Sequence, residues 1–261
     1  MNALAARRRH PAAIVLLLLL GLLVTGFAYA TFAPRTAQAS TAAQSQVEDG
    51  KKLFLANCAT CHGLQAEGTK VGPSLAGVGA AAVDFQMGTG RMPLAGPAVQ
   101  APRKQEIQFS QAEISAVAAY VASLAPGPGI PDAKYSSGEG GDVALGGELF
   151  RVNCAMCHNF AGSGGALTRG KYAPNLRNVS GKHIYEAMVS GPQSMPVFND
   201  QNISPESKNA IVAYLHAVDN EENVGGMNLG NLGPVSEGLF AWVFGLGLLV
   251  GFAVWLGKKA A

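Results

Sequence analysis

Four cysteines occur in the 261-residue chain, and all four fall in two copies of one pattern, "CATCH" (58–62) and "CAMCH" (154–158). Two thiols one helical turn apart can each form a thioether to a vinyl group on a porphyrin edge, and the adjacent imidazole then reaches the iron from one face. On this reading Cys58, Cys61 and His62 hold one haem and Cys154, Cys157 and His158 the other, which makes two covalently bound haem c groups. Other chemistries use the same residues. A thioredoxin-like dithiol needs Cys-x-x-Cys but sits in a βαβ pattern, which is missing here, and has no use for the histidine. Four cysteines suit a zinc site that would join the two halves, and two plain disulfides suit an exported chain.

A second axial ligand would complete each iron. Methionine with histidine is a known pair that raises the reduction potential, and a methionine directly before proline occurs once after each motif, at Met92 and Met195. The plainer role of any methionine is to fill core space, and that role is expected for Met87, Met156 and Met188. Among the remaining histidines, His10 precedes an apolar run, His183 is expected in a solvated loop, with ligation as the alternative, and His216 on the surface of the last helix of its half.

The elements that must position these groups repeat as well. "GKKLFLANCATCHG" (50–63) aligns with "GGELFRVNCAMCHN" (146–159), "VGPSLAGV" (71–78) with "YAPNLRNV" (172–179), and "SQAEISAVAAYVASL" (110–124) with "SPESKNAIVAYLHAV" (204–218). Such ordered self-similarity is a duplicated domain of about 80 residues. Helical periodicity before each cysteine pair and again at the far end predicts a mainly α fold. Ser110 with Glu113 forms a capping box, and Ser204 followed by Pro205 starts the equivalent helix. The irregular middle of each copy buries little core by itself, so a large apolar group at its centre is expected. The segment 126–142, rich in Gly, Pro and Ser, predicts a linker between domain 44–125 and domain 143–222. The first copy alone inserts "LAGPAVQAPRKQEIQF" (94–109) after the Met-Pro pair, with Arg103 and Lys104. That insert is read either as a docking loop or as a tolerated surface insertion.

Two uncharged stretches flank the copies, 12–33 and 238–257, each long enough for a helix to cross a hydrocarbon core. Arg7–Arg9 precede the first and Lys258 and Lys259 follow the second, which places both termini on the cytoplasmic side and the copies outside. Trp242 and Trp255 stand near the ends of the second stretch, as interfacial indoles do. Residues 1–39 read as an anchor or, with "AYA" (28–30) or "AQA" (37–39) as cleavage sites, as a signal peptide. The net charge of +2 comes from four arginines in the first 39 residues. Residues 40–125 carry six basic and six acidic side chains and 142–224 carry six and eight. The exported part is therefore near neutral, and nothing in it points to nucleic acid or to strong electrostatic steering.

With these motifs in place, each copy resembles a class I cytochrome c domain. The resemblance implies that Pro73 and Pro174 give their carbonyls to the histidines, and that Leu75 and Leu176 pack on the haems. It also implies that the first and last helices cross through Gly50, Phe54 and Tyr120, and through Gly146, Phe150 and Tyr214. The whole chain, including the tail "GNLGPVSEGLFAWVFG" (230–245), is similar to the dihaem cytochrome cc subunits of actinobacterial cytochrome bcc complexes, menaquinol:cytochrome c reductases. The implied fold is two tandem class I cytochrome c domains flanked by an N-terminal and a C-terminal transmembrane helix. The implied partners are a Rieske iron–sulfur subunit, a cytochrome b subunit, an aa-type cytochrome c oxidase and the membrane. The subunit would transfer electrons without bond chemistry, the first domain facing the oxidase and the second the Rieske protein. Three rivals stand beside it: a cbb-type oxidase dihaem subunit, which is anchored at its N-terminus, a dihaem peroxidase, which needs an open sixth position, and a membrane-bound dehydrogenase subunit.

Overall fold

The structure is a computed structural model that describes residues 11–32, 36–220 and 234–260. Arg7–Arg9, His10 and residues 230–233 of the tail, on which expectations were placed, lie outside the described residues. The chain divides into two units, 1–46 and 47–261. In the first, α1 (Pro11–Phe32) carries a window, Ala12–Tyr29, of mean hydropathy 2.5 whose side chains are exposed. Helix α2 (Thr36–Asn57) follows, and its residues from Val47 onward belong to the second unit.

The second unit holds both copies. In the first, α2 is followed by α3 (Ala59–His62), α4 (Gly79–Gly88) and α5 (Gln111–Leu124). A single turn, α6 (Ala133–Ser136), lies between the copies. In the second copy, α7 (Val143–Asn153) and α8 (Ala155–His158) precede the two-residue strands β1 (Gly165–Ala166) and β2 (Tyr172–Ala173), then α9 (Gly181–Ser190) and α10 (Pro205–Asn220). The strands pair antiparallel, Gly165 opposite Ala173. They are an addition to the expected loops and short helices. After the second copy come α11 (Pro234–Phe240), a π-helical stretch (Ala241–Leu246) and α12 (Gly247–Ala260). The window Ser236–Lys259 has a mean hydropathy of 2.3 and no buried residue, so among the described residues two helices are long and apolar enough to cross a membrane.

The first and last helices of each copy meet at glycine. A Cβ on Gly50 would overlap the Ala116 carbonyl, and one on Gly146 the Ala210 carbonyl, so only glycine lets the two backbones approach this closely. One turn on, Phe54 packs on Tyr120 with ring centroids 5.3 Å apart, and Phe150 on Tyr214 at 5.5 Å. Both phenylalanines are fully buried, each in the core of its own copy. These are the crossings that the class I resemblance implies. The caps form as well. Ser110 and Glu113 exchange hydrogen bonds at the start of α5, and the Ser207 amide donates to the Ser204 hydroxyl at 3.2 Å ahead of α10.

The linker is docked rather than loose. The Ala81 amide donates to the Pro128 carbonyl at 3.1 Å, and the Gly138 amide to Asn209 Oδ1 at 2.8 Å. One end of it therefore binds each copy. Between the copies, α4 packs on α9. Lys182 Nζ forms an ion pair with the Asp84 carboxylate at 2.5 Å, and Gln111 Nε2 donates to it at 2.9 Å. His183 belongs to this seam. It lies on α9 and not in the solvated loop expected, largely buried, with Nε2 at 3.7 Å from Asp84 and 3.9 Å from Glu186, because the first copy packs over this helix. His216 is likewise half-buried, against Gly138 and Gly181.

Asp84 and Glu186 are both fully buried. Burial opposes ionisation of Asp84, but the neighbouring His183 and Lys182 side chains and the Gln111 hydrogen bond outweigh it and hold the carboxyl well below the usual carboxylate range. Burial, and next the Asp84 charge, push Glu186 up to about 9, so at neutral pH one carboxyl of the seam is charged and the other protonated.

Candidate functional site

Each Cys-x-x-Cys-His turn is built in the same way. Helices α2 and α7 end at the first cysteine, and a one-turn helix, α3 or α8, carries the second cysteine and the histidine. The amides of His62 and His158 donate back to the Cys58 and Cys154 carbonyls at 3.0 and 2.9 Å. This turn sets the two sulfurs and the imidazole on one side. All four thiols are unpaired. Burial, and next the charge of the neighbouring cysteine, push the Cys58 and Cys154 thiols up to about 11. Neither is then the ready thiolate that dithiol exchange needs. The two pairs also lie in separate cores, which removes the four-cysteine zinc site.

The proline positions fall where the resemblance implies. His62 Nδ1 lies 2.7 Å from the Pro73 carbonyl, and His158 Nδ1 3.0 Å from the Pro174 carbonyl. A carbonyl only accepts, so each Nδ1 carries the proton and each Nε2 keeps its lone pair for a metal. His158 is buried, and burial lowers its pKa against the opposing hydrogen bond to Pro174, which keeps it in the neutral, ligating form.

In the second copy the remaining residues converge. Cys154, Cys157, His158, Pro174, Leu176 and Met195 all line one mainly apolar cavity of about 240 Å³. In the first copy Cys58, Leu75 and Met92 pack against one core. Met92 and Pro93, joined by a cis peptide bond, face a wider cleft of about 690 Å³ bounded by 104–108 of the insert. In the second copy paired thiols, an imidazole with its outer nitrogen satisfied and a thioether share one apolar cavity and fit haem c; in the first copy the same residue types gather around one core. Met87 and Met188 are core residues as expected. Met156 is not. It is 92% exposed and borders the second cavity instead of packing in the core.

Sequence reasoning missed the first copy's share in the second cavity. Phe85, Thr89 and Arg91, with Gln100 and Arg103 of the insert, line it too. Gln100 is tied to Tyr172 by two hydrogen bonds, Nε2 to the carbonyl at 2.8 Å and the Tyr172 amide to Oε1 at 2.9 Å. The insert is therefore neither free for docking along its whole length nor an idle surface loop. The presence of a 16-residue insert in one copy only was its one visible sign.

Comparison with known proteins agrees with this reading of the fold. The cytochrome c family profile matches residues 47–125, and the profile of cytochrome c oxidase, cbb3-type, subunit III matches 141–215. The cytochrome bc1 complex cytochrome c subunit of Mycobacterium tuberculosis is 42% identical over 97% of this chain and 92% of its own length. The subunit of the same name from Corynebacterium diphtheriae is 42% identical over 98% and 97%. The cbb3-type cytochrome c oxidase subunit FixP of Bradyrhizobium diazoefficiens is 28% identical over 65% of this chain and 60% of its own.

Proposed function

This chain belongs to the family of actinobacterial cytochrome bc1 complex cytochrome c subunits, and from there we propose that it carries electrons from a Rieske centre directly to an aa-type terminal oxidase. Its partners in that route are the Rieske and cytochrome b subunits, which oxidise menaquinol, and the oxidase. The observation that carries the proposal is the tandem arrangement: two sites of equal chemistry in one membrane-associated chain, where a single relay with a diffusing carrier would need only one.

Haem c, when bound, supplies a one-electron ferric–ferrous couple and no bond chemistry. The chain does the rest. Cys58 with Cys61, and Cys154 with Cys157, would anchor a haem in each copy. His62 and His158, each oriented by its proline carbonyl, would supply an imidazole Nε2 to the iron, and Met92 and Met195 a thioether. Leu75 and Leu176 would pack against the group and exclude water. The spans at 12–33 and 238–257 hold both domains, 44–125 and 143–222, on the extracytoplasmic side of the cell membrane. The near balance of charge over both copies suits docking within a fixed assembly better than capture of a mobile carrier.

The test uses a C-terminally tagged full chain, taken gently from membranes. With menaquinol as reductant, the purified material should show b- and a-type haem absorption beside c and should consume oxygen. Only c-type haem, unreduced by menaquinol, would sink the assignment in favour of a dehydrogenase subunit.

A further inference from the structure

The cavity of the second copy is lined by three cations and no carboxylate. Arg91 and Arg103 come from the first copy and Lys171 from the second, in walls that are otherwise mainly apolar or neutral. Arg91 is only 8% exposed. Its guanidinium lies 4.7 Å from the centre of the Phe85 ring and has no acidic partner among the described residues. Arg103, on the wall of the same cavity, adds a second positive charge. Lys171 is held at the cavity by a 2.8 Å hydrogen bond to Ser194, next to Met195. A buried, uncompensated guanidinium beside a second one is costly unless an anion meets them, and planar guanidinium recognises carboxylate in particular.

We propose that Arg91 and Arg103 of the first domain bind the propionate carboxylates of the haem in the second domain. The inference rests on the reading that Cys154 and Cys157 carry a haem. It assigns the insert a purpose: the Gln100–Tyr172 pair fixes 94–109 across the seam and delivers Arg103 to a site that the second copy cannot complete alone. The first domain would then tune the second haem, since fixed positive charge beside the propionates favours the ferrous form. No proton or bond changes hands in this role.

The experiment is a spectroelectrochemical titration of the full-length chain, with haem c counted per chain. Met195→His, which lowers one couple selectively, identifies the second-domain haem. Arg103→Gln changes an exposed residue of the insert that is not itself an axial candidate, and Arg91→Gln tests the buried partner. The expected result is two haems per chain in each variant, with only the second-domain couple moved down. At a fixed potential near its midpoint, the ferrous-to-ferric ratio should fall about threefold for Arg103→Gln and about tenfold for Arg91→Gln, where tenfold corresponds to about 59 mV for one electron. Arg91→Lys should restore part of the shift. Two haems with neither couple moved, or with the first-domain couple moved instead, would overturn the inference. One haem per chain in the wild type would overturn the underlying reading.

Discussion

In the second copy His158 is buried and its cavity is roofed by the neighbouring domain, whereas in the first copy His62 is half-exposed and Met92 borders an open cleft. Yet each imidazole is held by an equivalent proline carbonyl, and both helix pairs cross on equivalent Gly, Phe and Tyr positions. The duplication has therefore preserved the groups proposed to hold a haem and altered the medium around each set. In a relay that is where a difference is useful, because burial and nearby charge tune a couple without touching its ligands. The asymmetry also runs one way. The first copy lends residues to the second cavity, so the order of the two in the chain matters.

The shared part of the comparison should show the largest effects. Phe54→Ala and Phe150→Ala each remove a fully buried ring from the crossing, and each should cost about 3–5 kcal/mol. Urea titration of the haem-loaded chain, followed by haem absorbance, should show an early transition for one haem in either variant. If Phe150→Ala lost much less than Phe54→Ala, the crossing would be secondary in the second copy and the seam with the first would be holding it.

The seam offers a second way to break the symmetry, through pH. Glu186 has a folded pKa of about 9, above its ordinary value near 4.5. Between those two values the folded chain binds more protons than the unfolded one, so this group contributes stability that is present at low pH and lost as pH rises toward 9. Glu186→Gln should flatten that decline. The stability difference between variant and wild type should grow in favour of the variant from about pH 5 to pH 9, by at most about 1.4 kcal/mol per pH unit. The depressed carboxyl of Asp84 acts at the other end, losing its contribution only in acid. Equal pH profiles for wild type and Glu186→Gln would remove the protonated carboxyl from the seam.

What was legible in the sequence follows from locality. The cysteine turns, the Met-Pro pairs and the Ser110 capping box need only residues within a few positions, and the helix crossing came through the class I resemblance those local motifs carry. The seam was not legible, because Asp84, Lys182, His183 and Glu186 come together only once the two copies pack. Read alone, "GKHIYEAMVS" offers a histidine with no reason to be buried, and its cover is a helix about a hundred residues earlier. Met156 failed for the opposite reason. Its apolar type suggested core, but between the two cysteines it borders the second cavity instead.

The smallest predicted effect bears on how the last helix of each copy begins. At α5, Ser110 accepts from the Glu113 amide, and Glu113 accepts from both the backbone and the hydroxyl of Ser110. This reciprocal arrangement also holds the Glu113 carboxyl below its ordinary range. At α10, Ser204 accepts from the Ser207 amide without a glutamate to complete the box, while Pro205 presets the first helical turn. Ser110→Ala should therefore cost about 1 kcal/mol, and Ser204→Ala less, about half of that, since proline at the first position limits what the cap must supply. Hydrogen exchange at the first-turn amides of the two helices reads the difference directly. Greater fraying of α10 in Ser204→Ala than of α5 in Ser110→Ala would reverse the order and show that proline cannot stand in for the missing half of the box.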